Sequence, residues 1–223
     1  MTDSQCQQLP AELEGPLNSV VAHVRYIAYL WQTYKQLFAE SSKRRNLPHA
    51  EAGDFFRLVD DVLLDAILLG MARLHDKAQE GGSRNLSLQY IIELIPNPAH
   101  AQLITELDTR RSSICSTCKT LTRYRHKRIG HNDHKLGKFT DQASLPDFSV
   151  DEVDHWLSLH QDWVDCVFRE FSPGLTKCWS DGGFHGAESI LYAMKCASAF
   201  KDLDYKEPMT ALQLLKSNKW ESA

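Results

Sequence analysis

The chain has 223 residues, with 25 Lys and Arg, 29 Asp and Glu, ten His, six Cys and a formal net charge of −4. Apolar residues make up 43% and charged residues 24%, the balance of an ordinary globular protein. This excludes a disordered acidic tail, a collagen-like repeat and a disulfide-dense mini-protein, and leaves length enough to bury a sizeable core. No overall basic charge announces a nucleic-acid binder, so any such role has to rest on a local patch. The N-terminus, Met1 to Cys6, lacks a basic stretch followed by an apolar run and does not read as a secretory signal. The most apolar window, Val62 to Met71, contains Asp65 and is too short to span a bilayer. A cytoplasmic protein with reduced cysteines is the expectation.

Helical periodicity dominates. Leu17, Val20, Val21, Val24, Ile27, Leu30, Trp31, Tyr34, Leu37 and Phe38 follow Leu13 in steps that define one face of a long helix. The polar stretch from Glu40 to Pro48 is expected to end it, because proline disfavours helix at Leu47 and cannot continue one. A second helix is predicted from about Asp54 to His75, with Phe55, Val59, Val62, Leu63, Ala66, Ile67, Leu69, Gly70 and Leu74 on its stripe. Apolar around much of its circumference, it reads as the central, most buried helix. Gly81-Gly82-Ser83 breaks the pattern, and a short helix follows from Ser87 to Leu94.

The third long helix is predicted to start near Pro98 and to run towards Gly130. Its stripe is Leu103, Leu107, Ile114, Cys118, Leu121 and then Arg125, so an arginine arrives where the pattern calls for a core residue. His131 to Asp147 has no periodicity and reads as a loop. Ser149 with Glu152 forms a capping box for a fourth helix, with Phe148 placed to staple onto Val153. That helix carries Val153, Trp156, His160, Trp163, Val167 and Phe171 on one stripe, and a fifth is predicted from about Gly186 to Phe200. No segment alternates with period two, so no sheet is expected. The fold class is all-α, a bundle of four to five main helices in one domain spanning 1–223, with its core over about 13–171 and a helical extension over 172–223.

The chemistry concentrates between Lys119 and Lys138. Lys119, Arg123, Arg125, Lys127, Arg128, Lys135 and Lys138 stand against the single acid Asp133, a local charge of +6, together with His126, His131 and His134. Such a patch suits a phosphate backbone; the bland alternative is a solvated cationic helix end favoured by the helix dipole. Arg125 tips the balance, because a charge on a buried stripe needs a partner: an acid, a phosphate or a second subunit. Asp61 and Asp65, four apart on the second helix, could join a metal site or lie on a solvated edge, but partnership with a nearby cation is favoured; in a purely structural reading that cation is Arg125. Arginine and histidine without a carboxylate set suit metal-free RNA cleavage, in which histidine takes the 2′-hydroxyl proton and arginine holds the phosphate.

Cys115-x2-Cys118-x12-His131-x2-His134 comes near a zinc-finger spacing. The histidines are too close together, however, Thr122 and Arg128 stand where a finger needs apolar core residues, and both cysteines lie within a helical pattern. No metal and no other cofactor is expected. His75-Asp76 reads as a helix cap, and His160, between tryptophans, as a satisfied core histidine.

Arg125-His126-Lys127-Arg128-Ile129-Gly130-His131 resembles the signature of the HEPN superfamily: arginine, a polar residue, a short spacer and histidine. The wider context is similar to the AbiU-type (abortive infection) branch. There, an Arg-polar-Lys-x-x-Ala-His-x-Asp string is matched by Arg125, His126, Lys127, His131 and Asp133, with Gly130 in place of alanine. Upstream, Leu68-Leu69-Gly70-Met71-Ala72-Arg73-Leu74-His75-Asp76, followed by Asn85-Leu86-Ser87-Leu88, also resembles that branch. The resemblance implies a helical bundle, usually a homodimer, in which two Arg–His motifs share one cleft. Active members are metal-independent endoribonucleases of defence and toxin–antitoxin systems; others only bind RNA or a partner protein, such as an antitoxin. On this reading Arg125, His126 and His131 are catalytic, and Lys119, Arg123, Lys127, Arg128, His134, Lys135 and Lys138 bind RNA. Asp61, Asp65 and Asp133 support them. Members silenced by a nucleotidyltransferase often carry a tyrosine two residues after the histidine, where this chain has Asp133.

Overall fold

The computed structural model describes residues 9–126, 148–171 and 186–201. They form an all-α protein with one minimal hairpin: α1 (Ala11–Tyr34), a π-helical turn (Lys35–Ala39), α2 (Ser42–Arg73), β1 (Gln79–Glu80), β2 (Ser83–Arg84), α3 (Leu88–Leu94), α4 (Ala101–Thr117), α5 (Lys119–Arg125), α6 (Val150–Phe171) and α7 (Gly186–Lys201). The chain divides into two compact units. One comprises Met1–Leu30 and Asp65–Ser180, the other Trp31–Leu64 and Asp181–Ala223.

In the first unit, α1 buries Leu13, Leu17, Val20, Val21, Val24 and Ile27, the stripe expected from periodicity. The end of α2 contributes Ile67, Leu68 and Met71, and the turn after it Leu74. Gly70 lets α1 approach: a Cβ there would meet Ile27 Cγ1 at 3.0 Å. The Nε2–H of His23 donates to the Gly70 carbonyl at 3.0 Å. Helix α6 packs along α4, where the Trp163 indole N–H donates to the Leu107 carbonyl at 3.0 Å. The α6 start is the expected capping box: Glu152 N–H donates to Ser149 Oγ at 3.2 Å and Ser149 N–H to Glu152 Oε2 at 2.8 Å. The ring of Phe148 lies against Tyr124 and Trp156. In the second unit, Leu37, Phe38, Phe56, Ala187 and Leu191 form a small core, with Tyr34, Val59, Leu63 and Met194 packed on it.

Four expectations are corrected. Pro48 does not end a helix: it lies within α2, whose break comes at Ala52 (φ −153°, ψ 61°). Helix α2 is not the most buried. Phe55, Leu58 and Val62 are 60%, 60% and 55% exposed, and among the described residues the helix with the most buried side chains is α6. The third long helix is divided at Cys118, which turns the chain between α4 and α5 (φ −92°, ψ 25°). Finally, β1 and β2 pair antiparallel around Gly81 and Gly82, whose φ values of 58° and 87° suit the tight two-residue turn that glycines allow. Two residues per strand are too few for alternation to register in the sequence.

Candidate functional site

The short helix α5 is anchored by Leu121 and Tyr124, both buried. The Tyr124 hydroxyl donates to Asp65 Oδ1 at 2.5 Å. Lys119, Arg123 and His126 are exposed and fall at spacings of four and three, on one face of the helical turns. Arg125 lies four residues after Leu121, on the inward side, as the stripe indicated. It does not end in the core: its side chain remains 37% exposed, and one terminal nitrogen, Nη1, pairs with Oδ1 of Asp76, itself 20% exposed. The carboxylate partner expected at Asp61 or Asp65 is therefore Asp76, in the turn that follows α2. Asp65 serves Tyr124, the neighbour of Arg125, and so fixes α5 from one position earlier. Asp61 lies partly buried on the part of α2 that belongs to the second unit.

The residue before Asp76 opens a second polar arrangement. His75 Nε2 lies 2.9 Å from Nε2 of His160, the two rings parallel within 3°. His160 is fully buried on α6, and its Nδ1 lies 2.6 Å from the Trp156 carbonyl. Burial drives the pKa of His75 down to about 3, helped by the neighbouring His160 and by Arg111. Burial likewise drives His160 down to about 4, against the pull of the Trp156 carbonyl and with His23 adding to the depression. Both rings are neutral at pH 7. His160 is thus the satisfied core histidine that its surroundings implied. His75 and Asp76 are not a simple cap: each reaches across to another helix, a role that periodicity does not signal. The sequence signal was the string from Leu68 to Asp76.

Cys115 and Cys118 straddle the end of α4, and burial raises both thiols, Cys118 to about 12. Neither is poised as a thiolate. Among the described residues, no group of three or more His, Cys, Asp or Glu side chains is arranged to hold a metal ion. In the second unit, Tyr34 hydrogen-bonds Asp60, and burial raises the pKa of both; periodicity marked Tyr34 only as a stripe residue and did not mark Asp60. Lys127, Arg128, His131, Asp133, His134, Lys135 and Lys138 lie outside the described residues. The structure therefore brings together Arg125, Asp76, Tyr124 and Asp65 at the site, with Lys119, Arg123 and His126 on the exposed face beside it.

Residues 11–173 match the model of the family described as AbiU2, a HEPN family. The chain belongs to that family. The match spans α1 to α6, including both the string ending at Asp76 and the Arg125–His131 motif. No curated protein and no solved structure matches the chain significantly. No helix among the described residues is long and apolar enough to cross a membrane.

Proposed function

We propose that this AbiU2-family chain is a metal-independent endoribonuclease of the HEPN type, acting in abortive infection or a toxin–antitoxin system as a cytoplasmic homodimer with a composite site. The observation that carries the reading is the state of Arg125. Among the described residues Asp76 engages Arg125 through one terminal nitrogen, and the donors of the other terminal nitrogen and of Nε suit a phosphate, at a helix end flanked by Lys119, Arg123 and His126. In this mechanism the 2′-hydroxyl attacks the adjacent phosphorus, His131 accepts its proton and the 5′-oxygen leaves. Arg125 holds the phosphate as charge develops on its oxygens, and His126 fills the second acid/base role by protonating the leaving 5′-oxygen. The products are a 2′,3′-cyclic phosphate and a 5′-hydroxyl.

One observation favours a second reading, a non-catalytic module that binds RNA or a partner protein through the same face. Asp76 offsets the charge of Arg125, which weakens its pull on phosphate. Single-turnover cleavage of a labelled RNA pool, beside equilibrium binding at several salt concentrations, separates the two. Under the nuclease reading, His131→Ala abolishes cleavage and leaves affinity nearly intact, since imidazole is mostly neutral at pH 7. Arg125→Ala slows cleavage by about 10²–10³-fold and also weakens binding. Lys135→Ala and Lys138→Ala weaken binding and flatten its salt dependence without slowing the chemical step. Cleavage persists in chelator. Binding without cleavage by the wild type selects the module instead.

A further inference from the structure

The hydrogen-bond chemistry of the His75–His160 pair fixes the direction of every donor in it. The Trp156 carbonyl can only accept, so Nδ1 of His160 carries a proton and donates across 2.6 Å. A neutral imidazole carries one ring proton, which leaves Nε2 of His160 as a lone pair. The facing Nε2 of His75, 2.9 Å away, must then be the N–H donor. A cationic pair is disfavoured: His160 is fully buried, and Arg111 and His23 oppose added positive charge on His75 and His160 respectively. The chain of donors therefore runs one way, from His75 through His160 to the α6 backbone. It leaves Nδ1 of His75 as a buried lone pair with no hydrogen-bond partner among the described residues. Apolar side chains of similar shape would fill this space without an orphaned nitrogen, so the pair is a poor choice for stability alone.

The next residue gives the pair a use. Leu74, His75 and Asp76 form a tight turn, each N–H donating to the carbonyl three residues back, on Met71, Ala72 and Arg73. Within that turn the orientation of one side chain constrains the backbone of the next. One side is tied to α6 through His75; the other reaches α5 through Asp76. We propose that His75 is a positioning residue: its one-way hydrogen bond to His160 holds the turn so that Asp76 presents Arg125 to the phosphate. This rests on the nuclease reading for the role of Arg125, but the positioning itself is open to measurement without cleavage.

The experiment is ¹⁵N-resolved NMR of the full chain, with single-turnover cleavage of a labelled RNA as the second readout. Wild-type spectra should show His160 protonated at Nδ1 and His75 at Nε2, both tautomers persisting below pH 5. The guanidinium N–H signals of Arg125 should be slowed in rotation by Asp76, and Asp76→Asn should release them. His75→Phe keeps a ring but removes the donor, and should release them as well. His75→Gln restores an N–H near the same place and should slow them again. On cleavage, His75→Phe should reduce the rate roughly tenfold, and the His75→Phe/Asp76→Asn double variant should be no slower than Asp76→Asn alone, the non-additivity of residues acting through one contact. Arg125 signals unmoved by His75→Phe, or not restored by His75→Gln, overturn the positioning role. If those variants fail to fold, the wild-type spectrum still decides, since a His160 proton on Nε2 overturns it. Arg125 signals that respond in a chain that cuts no RNA keep the positioning and reject the nuclease. Cleavage with unresponsive Arg125 signals does the reverse.

Discussion

Between Phe55 and Leu63, helix α2 is apolar on two faces: Phe56, Val59 and Leu63 pack on the small core of the second unit, while Phe55, Leu58 and Val62 stay more than half exposed. From Ile67 to Arg73 the same helix buries Ile67, Leu68, Met71 and Ala72 in the first unit, and the turn after it adds Leu74. Both stretches repeat apolar residues at intervals of three and four, so periodicity alone does not distinguish them. The difference lies in what faces them. Gly70 admits the Ile27 side chain and a hydrogen bond from His23, and the turn beyond Arg73 is tied down through His75 and Asp76. Nothing comparable faces Phe55, Leu58 and Val62 among the described residues. Apolar content says how much surface a helix can bury; the neighbours decide how much it does.

The comparison breaks most readily at the buried end. Leu68→Ala, at a site 1% exposed, should cost about 2–5 kcal/mol in urea unfolding. A cost equal to that of Leu58→Ala would remove the distinction. Next comes Gly70→Val, which forces branched bulk against Ile27, 3.0 Å from the position of a Cβ, and should cost about 1–3 kcal/mol unless the Ile27 side chain swings away.

Acid should separate the two ends by sign. The folded-state pKa values of His75 and His160, about 3 and about 4, lie below the unfolded value of 6.5. The unfolded chain therefore binds more protons, and the stability contributed by the neutral pair is full above pH 6.5 and lost as pH falls towards 4. Asp60 behaves oppositely. Burial raises its folded pKa, so its cost at neutral pH is relieved as acid protonates it in the native state first. Urea midpoints at pH 7 and pH 5 should thus fall less in a His75→Phe/His160→Phe variant than in the wild type. Asp60→Asn should make the acid loss steeper. Identical pH slopes for all three proteins would refute the assignment. The smallest effect belongs to the exposed face, where Leu58→Lys and Val62→Lys should each change stability by no more than about 0.5 kcal/mol.

Much of the architecture was legible in the residues. The α1 stripe from Leu13 to Ile27, the Ser149–Glu152 capping box and the short α3 are local matters, written in spacing and capping chemistry that act over three or four residues. The anomaly at Arg125 was equally visible, because a charge on an apolar stripe is a conflict within one helix. The string from Leu68 to Asp76 and the Arg125–His131 motif carried the family, since the residues of a motif need only be read in order. Three things were decided by the tertiary structure. Asp76, forty-nine positions from Arg125, became its partner because a chain turn placed it there; Asp61 and Asp65 were equally reasonable carboxylates until α5 and the end of α2 met. His75 found His160 across a separation of 85 residues, and the proton direction in that pair follows from the Trp156 carbonyl beside it. Last, α2 kept Phe55, Leu58 and Val62 at its surface, because burial is a property of two packed faces and a sequence pattern describes only one.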